Sequence, residues 1–112
     1  MQYAALIYKD EAIPVDMGPM MQAYGAFNQE LVASGSFVAG DALQAVATST
    51  SVRVRDGKTE VTDDPLAETK EQLGGYYLME CENLDQAVEW AAKIPTAQTG
   101  TIEVRPIMTD DL

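Results

Sequence analysis

The stretch Val52-Arg53-Val54-Arg55-Asp56-Gly57-Lys58-Thr59-Glu60-Val61 constrains this chain more than any other. Asp-Gly between two alternating runs signals a two-residue β-hairpin, because both central residues of a type I′ turn need positive φ. The implied register pairs Arg55 with Lys58, Val54 with Thr59, Arg53 with Glu60 and Val52 with Val61. It puts the apolar residues on one face and the charged ones on the other, so turn chemistry and alternation agree.

Downstream, Thr62-Asp63-Asp64-Pro65 reads as a helix start, with Asp64 as N-cap, Pro65 at the first helical position and carboxylates beside the positive end of the dipole. The expectation is a short helix from Ala67 to Leu73. Gly74 and Gly75 would stop it and supply the slim backbone from which a strand begins at once. Asp63 is open to two roles, a second capping carboxylate or a group that lines a pocket.

Elsewhere, Gln2 to Tyr8 is an apolar run suited to a strand buried on much of both faces. Lys9 to Gly18 is polar, broken by Pro14 and Gly18, and is a loop of the kind that borders a site. From Pro19, the positions Met20, Tyr24, Phe27 and Leu31 mark one buried helix face, ended by Ser34-Gly35. Met17, Met20 and Met21 suit either a flexible apolar binding surface or, as the more ordinary role, core packing. Phe37 to Leu43 reads as a strand, with Gly40 a bulge or a close approach. Tyr76 to Cys81 is another strand, and Asn83 with Gln86 three residues on resembles a capping box. The helix it starts carries Leu84, Val88 and Ala91 as its apolar stripe, has Trp90 at one margin and is bounded by Pro95. Thr101 to Ile107 is the last strand.

The order is strand, helix, strand, hairpin, short helix, strand, helix, strand. Without the hairpin insert it is βαββαβ, the split βαβ arrangement of a ferredoxin-like plait in the α+β class. At 112 residues and 46% hydrophobic content, residues 1–112 suit one domain.

Charge and composition exclude several functions. Lys and Arg number 7 against 18 Asp and Glu, and the net charge of −11 opposes phosphate backbones and anionic membrane surfaces alike. No direct nucleic-acid or membrane partner is expected. No apolar run approaches the roughly 20 residues of a membrane span, and no basic segment precedes an apolar core at the N-terminus, so a cytoplasmic location is expected. Cys81 is the sole cysteine, which rules out an intrachain disulfide and suits an inert packing role better than a reactive thiol. There is no histidine, so Ser-His-Asp triads, Cys-His pairs and His-based zinc sites are excluded. Acid or base chemistry would have to come from a carboxylate, Lys, Tyr or Cys. No transition metal and no cofactor is expected.

The run V-R-V-R-D-G-K-T-E-V-T-D-D-P-L-A-E-T-K-E-Q-L-G-G-Y-Y resembles the signature of the YCII-related proteins, and within them the DGPF subgroup. The subgroup's Asp-Gly-Pro-Phe tetrapeptide stands here as Asp63-Asp64-Pro65-Leu66, a departure at two of four positions. Ala67 to Glu71, Gly74-Gly75, Met1 to Tyr8, Ala23 to Phe27, Ala87 to Pro95 and Glu103 to Pro106 match as well, so the similarity spans nearly the whole chain. The resemblance implies a homodimer of the dimeric α/β barrel type, with sheet packed against sheet. Other branches of the family carry a His-Asp pair proposed to be catalytic. This chain has Gln22, Tyr24 or Phe27 near the histidine's place, so that chemistry does not carry over.

The candidate ligand-binding constellation is Asp63, Glu68, Thr69 and Lys70 from the signature loop, with Arg53 or Arg105 from neighbouring strands. Mixed acids and bases of this kind can hold a small polar metabolite. Glu68 and Lys70 are two residues apart, so on a helix they would not face the same way. Asp63 and Glu68 are the candidates for an acid or base. Three functions compete: a small-molecule binding protein, an interaction protein linked to extracytoplasmic-function sigma factors as the resemblance suggests, and a lyase-like or hydrolase-like enzyme working through carboxylates.

Overall fold

The structure, a computed structural model, describes residues 1–109. Its elements are Gln2–Lys9 (β1), Met17–Ala33 (α1), Phe37–Ala42 (β2), Ser51–Arg55 (β3), Lys58–Thr62 (β4), Gln72–Glu80 (β5), Leu84–Lys93 (α2) and Thr101–Pro106 (β6). Single 3-10 turns lie at Val46–Thr48 and Pro95–Gln98. Four strands form an antiparallel sheet in the order β2-β5-β1-β6, and β3-β4 forms a separate two-stranded sheet. The fold is α+β.

Alternation in the two central strands sets the layers. Tyr3, Ala5 and Ile7 of β1 and Tyr77 and Met79 of β5 point to one face and are buried there with Phe27 and Leu31 of α1 and Ala87 of α2. Both helices therefore cover the same side of the sheet. Phe27 anchors the core, meeting the rings of Tyr77 and Trp90 edge-on at centroid distances of 5.2 and 6.1 Å. Among the described residues no helix covers the other side, where Ala4, Leu6, Tyr76 and Leu78 are half-buried.

Local signals place the helix ends. Asn83 caps α2 by accepting from the Gln86 backbone N–H at 2.9 Å, and the Gln86 side chain accepts from the Glu82 N–H at 2.7 Å. The reciprocal bond thus lands one residue earlier than in the usual capping box. Gly35, at φ +83°, ends α1. Lys93 joins the two helices by its 2.6 Å ion pair with Glu30 and lies 5.1 Å from the centroid of the Trp90 ring.

The hairpin has the expected register from Ser51↔Thr62 to Arg55↔Lys58, with Asp56 and Gly57 at φ +51° and +73°. Three expectations are corrected. First, no helix forms over Ala67 to Leu73: residues 63–71 are irregular and β5 already begins at Gln72. Seven residues make a helix too short to persist without packing, whereas Gln72 and Leu73 find strand partners in Lys9 and Tyr8. Gly74 and Gly75 consequently lie inside a strand. The β1–β5 register slips there, pairing Ile7 with Gly75 but Tyr8 with Leu73, so Gly74 is the extra residue of a bulge.

Second, the buried stripe of α2 is Ala87 and Ala91, continued by Ile94 beyond the helix end, while Leu84 and Val88 face outward. Small residues let the helix approach the sheet closely. Third, Met17 and Met21 do not pack in the core: they are 60% and 67% exposed. Gly40 is a site of close approach, since a Cβ there would fall 2.7 Å from the Tyr77 ring, and the irregularity in β2 lies beside it between Phe37 and Ala39. Cys81 is buried, and burial first, then the Glu80 carboxylate, pushes its thiol above the ordinary range, partly countered by the N-terminal amine. It is a packing residue.

Candidate functional site

A cavity of about 270 Å³ opens where β1 ends and α1 begins. Its inner wall is Ile7, and the side chain two residues on, Lys9, stands at its edge. Gly74 makes room there, because a Cβ at that position would come within 3.2 Å of the lysine stem. Gly75 lets the strands close up beside it: a Cβ would lie 2.9 Å from the Asp41 carbonyl oxygen. Both glycines lie in β5, between β1 and β2, and Gly74 is the one that reaches the cavity.

The loop from Asp10 to Asp16 forms one side of the opening. Asp10 turns the chain by accepting from Ala12 N–H through its carboxylate at 2.9 Å and from Ile13 N–H through its carbonyl at 3.1 Å. Glu11 fastens the loop at two points: its N–H donates to the Gln72 side chain at 3.0 Å, and its carboxylate accepts from Val46 N–H. Thus anchored, the loop carries Ile13 and Val15 to the mouth, where they meet Met17, Met20 and Met21 from the first turns of α1. Deeper in, the Tyr24 and Thr96 hydroxyls are hydrogen-bonded at 2.6 Å, with Thr96 buried and Thr99 nearby.

The cavity therefore has apolar walls, a methionine-lined mouth and a few polar groups: Lys9, Asp10, Tyr24, Thr96 and Thr99. Such a composition suits a small molecule with an apolar body and one or two polar edges. Methionine, flexible and polarisable, adapts to aromatic rings at little conformational cost. Among the described residues, no group of three or more His, Cys, Asp or Glu is arranged to hold a metal ion.

The residues expected from sequence lie elsewhere. Arg53 faces Glu60 across the hairpin and lines a hollow of about 180 Å³ with Ser51, Thr62, Pro65 and Leu66. Asp63 accepts a 3.5 Å hydrogen bond from the Thr50 hydroxyl, and the Asp64 carbonyl accepts one from Ser51 at 2.6 Å, closing the hairpin base. Glu68 and Lys70 are exposed on the irregular segment. The Thr69 hydroxyl donates to the Glu71 carbonyl at 2.6 Å. Arg105 pairs with Ala4 across β1 and β6. No ion pair joins Asp63 to Lys70 or an arginine among the described residues, and none of these six residues lines the 270 Å³ cavity. Of the signature stretch, Gly74 alone reaches that wall.

Signals for the cavity were nevertheless present. They were the broken polar loop at Lys9 to Gly18, the three methionines and the tyrosine at Tyr24. Each was ambiguous alone, and only their convergence in space distinguishes a wall from a core.

The fold and cavity define a small α+β protein with one sheet face covered by helices and an opening of about 270 Å³ at its edge. The chain belongs to the YCII-related family: the family's YCII-related domain matches residues 1–109. It is 36% identical over 116 residues to the uncharacterised protein R00369 of Rhizobium meliloti (strain 1021), covering 96% of this chain and 92% of that one. Its fold is similar to the solved structure of 5-chloro-2-hydroxyhydroquinone dehydrochlorinase (TftG) from Burkholderia phenoliruptrix AC1100, in complex with 2,5-dihydroxybenzoquinone. That match has a TM-score of 0.53 at 16% identity and covers 98% of this chain and 96% of the other.

Proposed function

We propose that this protein binds a small molecule with an apolar, ring-sized body and polar edges in the cavity between Lys9, Met20 and Tyr24. The observation that carries this is the joining of a methionine-lined mouth to a buried hydroxyl pair within about 270 Å³. The sheet order β2-β5-β1-β6 supports the ferredoxin-like plait, and the bare sheet face supports pairing of two copies as in dimeric α/β barrels. The Ala67 to Glu71 and Gly74-Gly75 matches support the DGPF subgroup. Asp63, Glu68, Thr69 and Lys70 lie outside this cavity, and their exposed loop stays in the proposal only as a second, separate place for ligand contact.

A lyase-like enzyme is the second reading, favoured by one observation: the structural neighbour is a dehydrochlorinase in complex with 2,5-dihydroxybenzoquinone. Proton removal here would fall to Lys9, Asp10 or Tyr24, the titratable groups of the wall, since there is no histidine.

Thermal shift with a panel of hydroxylated aromatic acids and quinones, against aliphatic acids of similar size, tests the binding proposal. Aromatic members should raise the melting temperature, and Met20→Trp, which fills the cavity, should abolish the shift while leaving circular dichroism unchanged. A shift that survives Met20→Trp, or none across the panel, would refute it. Turnover assays on the compounds that bind then separate enzyme from binding module.

A further inference from the structure

We propose that Lys9 makes the cavity selective for anions: the ligand carries an anionic oxygen, of a carboxylate or an ionised phenol, that the lysine amine holds at the mouth. The inference rests on the binding reading above and names the chemical class that the site takes.

Strand β1 brings the charge to the wall. Side chains alternate along a strand, and the buried Tyr3, Ala5 and Ile7 share the helix-covered face of the sheet with Lys9. Lys9 is thus the charged end of an apolar row, and of the chain's 7 basic residues it alone lines the cavity. The bulge in β5 shapes its course. Bulges re-aim side chains, and here the extra residue is Gly74, whose missing side chain leaves room for the lysine stem: a Cβ there would lie 3.2 Å from Cε and 3.6 Å from both Cδ and Cγ. The stem therefore lies against the neighbouring strand while the residue stays exposed at the opening, as long basic side chains do when they cover apolar surface.

The neighbouring acids do not use this amine. Asp10, the cavity's other charged residue, is held in its turn by the Ala12 N–H at 2.9 Å. Both carboxylate oxygens of Glu11 accept from the Val46 N–H, at 3.2 and 3.0 Å. Among the described residues no carboxylate forms an ion pair with Lys9, although acids outnumber bases 18 to 7 in the chain. A cation beside apolar walls, where charges are screened less than in bulk water, favours an anion over a neutral group of the same shape. Deeper in, the hydroxyls of Tyr24 and Thr96 suit an uncharged polar edge. Together the two ends describe a ring with an anionic group on one side and a hydroxyl or carbonyl on the other.

Isothermal titration of two matched pairs at constant ionic strength tests this: para-hydroxybenzoate against neutral para-hydroxybenzamide, and para-nitrophenol above and below its own pKa. In wild type, the anion of at least one pair should bind about tenfold more tightly than its neutral form. The pair that shows the preference identifies carboxylate or phenolate as the group. Lys9→Met keeps an unbranched apolar stem without the charge, and should bring the two forms of that pair to equal affinity. Neutral forms that bind wild type as tightly as the anions would overturn the anion site and leave the cavity reading standing. A preference that survives in Lys9→Met would overturn the part given to Lys9. If none of these species bound while a neutral quinone did, the anion site would fall alone; if the quinones failed as well, the cavity reading would fall with it.

Discussion

The hairpin and the cavity are opposites in how their residues are used. In the hairpin, every pairing follows from two turn residues and an alternating pattern, yet its apolar side chains Val52, Val54 and Val61 stay exposed. At the cavity, the lining comes from β1 and the loop after it, α1, β2, the backbone of Gly74 in β5 and the turn around Thr96, and its shared position follows from no local pattern. Regular backbone thus says little about where a side chain is useful. The hairpin is locally determined and globally idle within one chain, while the cavity is locally irregular and globally determined.

That contrast can be broken most directly at two glycines. At Gly100, a Cβ would lie 2.2 Å from the Tyr8 carbonyl oxygen, so Gly100→Ala should force β6 away from β1 and cost about 3 kcal/mol or more. At Gly57, a Cβ would meet nothing within 4 Å, and only its φ of +73° resists a side chain. Gly57→Ala should cost about 1 kcal/mol, as a left-handed residue without clashes does. Urea denaturation of both variants measures the difference, and equal losses would mean that the turn matters as much as the sheet's close packing.

Side-chain truncation sharpens the same comparison. Leu31, fully buried beneath the sheet, should lose about 3 kcal/mol on Leu31→Ala. Val52→Ala should stay within about 0.5 kcal/mol at concentrations where the chain is single, because an exposed residue leaves no cavity. A large loss for Val52→Ala under those conditions would show the hairpin packed on its own chain.

Removing one hydroxyl probes the cavity itself. Tyr24→Phe deletes the bond to Thr96 and should cost about 1 kcal/mol in stability, and more in affinity for any aromatic compound that binds. Asp63→Asn provides the contrast, since among the described residues its side-chain bond is the 3.5 Å contact with Thr50. It should change the affinity of a compound seated inside the cavity little, as isothermal titration would record; a large loss would make the signature loop the principal site.

The smallest effect is one of pH. Burial first, then the Tyr24 phenol, pushes Tyr77 up to about 12 from an ordinary 10.0. The folded chain therefore keeps this proton to higher pH than the unfolded chain. Its contribution to stability is complete below pH 10 and fades as the pH rises toward about 12. Stability in wild type should fall across that window more steeply than in Tyr77→Phe. Equal slopes would show that other groups govern alkaline unfolding.

Much of the architecture was legible because its causes are local. Asp56-Gly57 dictates a turn through its φ angles, Asn83 and Gln86 offer the bonds that start a helix, and Tyr3, Ala5 and Ile7 alternate because a strand has period two. The segment from Ala67 to Leu73 misled because capping residues and helix formers are only a weak preference. Strand partners in β1 outweighed that preference at Gln72 and Leu73. The same limit applies to the site. Asp63, Glu68 and Lys70 drew attention as charges near a signature, but an exposed charge on an irregular segment needs no partner, and none gathers the others around it.

By itself, then, the sequence determined the hairpin register, the identities of most strands and helices and the lack of any imidazole chemistry, all properties of neighbouring residues or of composition. Tertiary structure alone decided that Gly74 and Gly75 belong to a strand, that Ala87 rather than Val88 meets the sheet, and that Lys9, Met20, Tyr24 and Thr96 share one cavity. The physical reason is that a residue's backbone preference is set within a few positions of it, whereas burial and site formation depend on which distant surfaces the sheet order brings within a few ångströms.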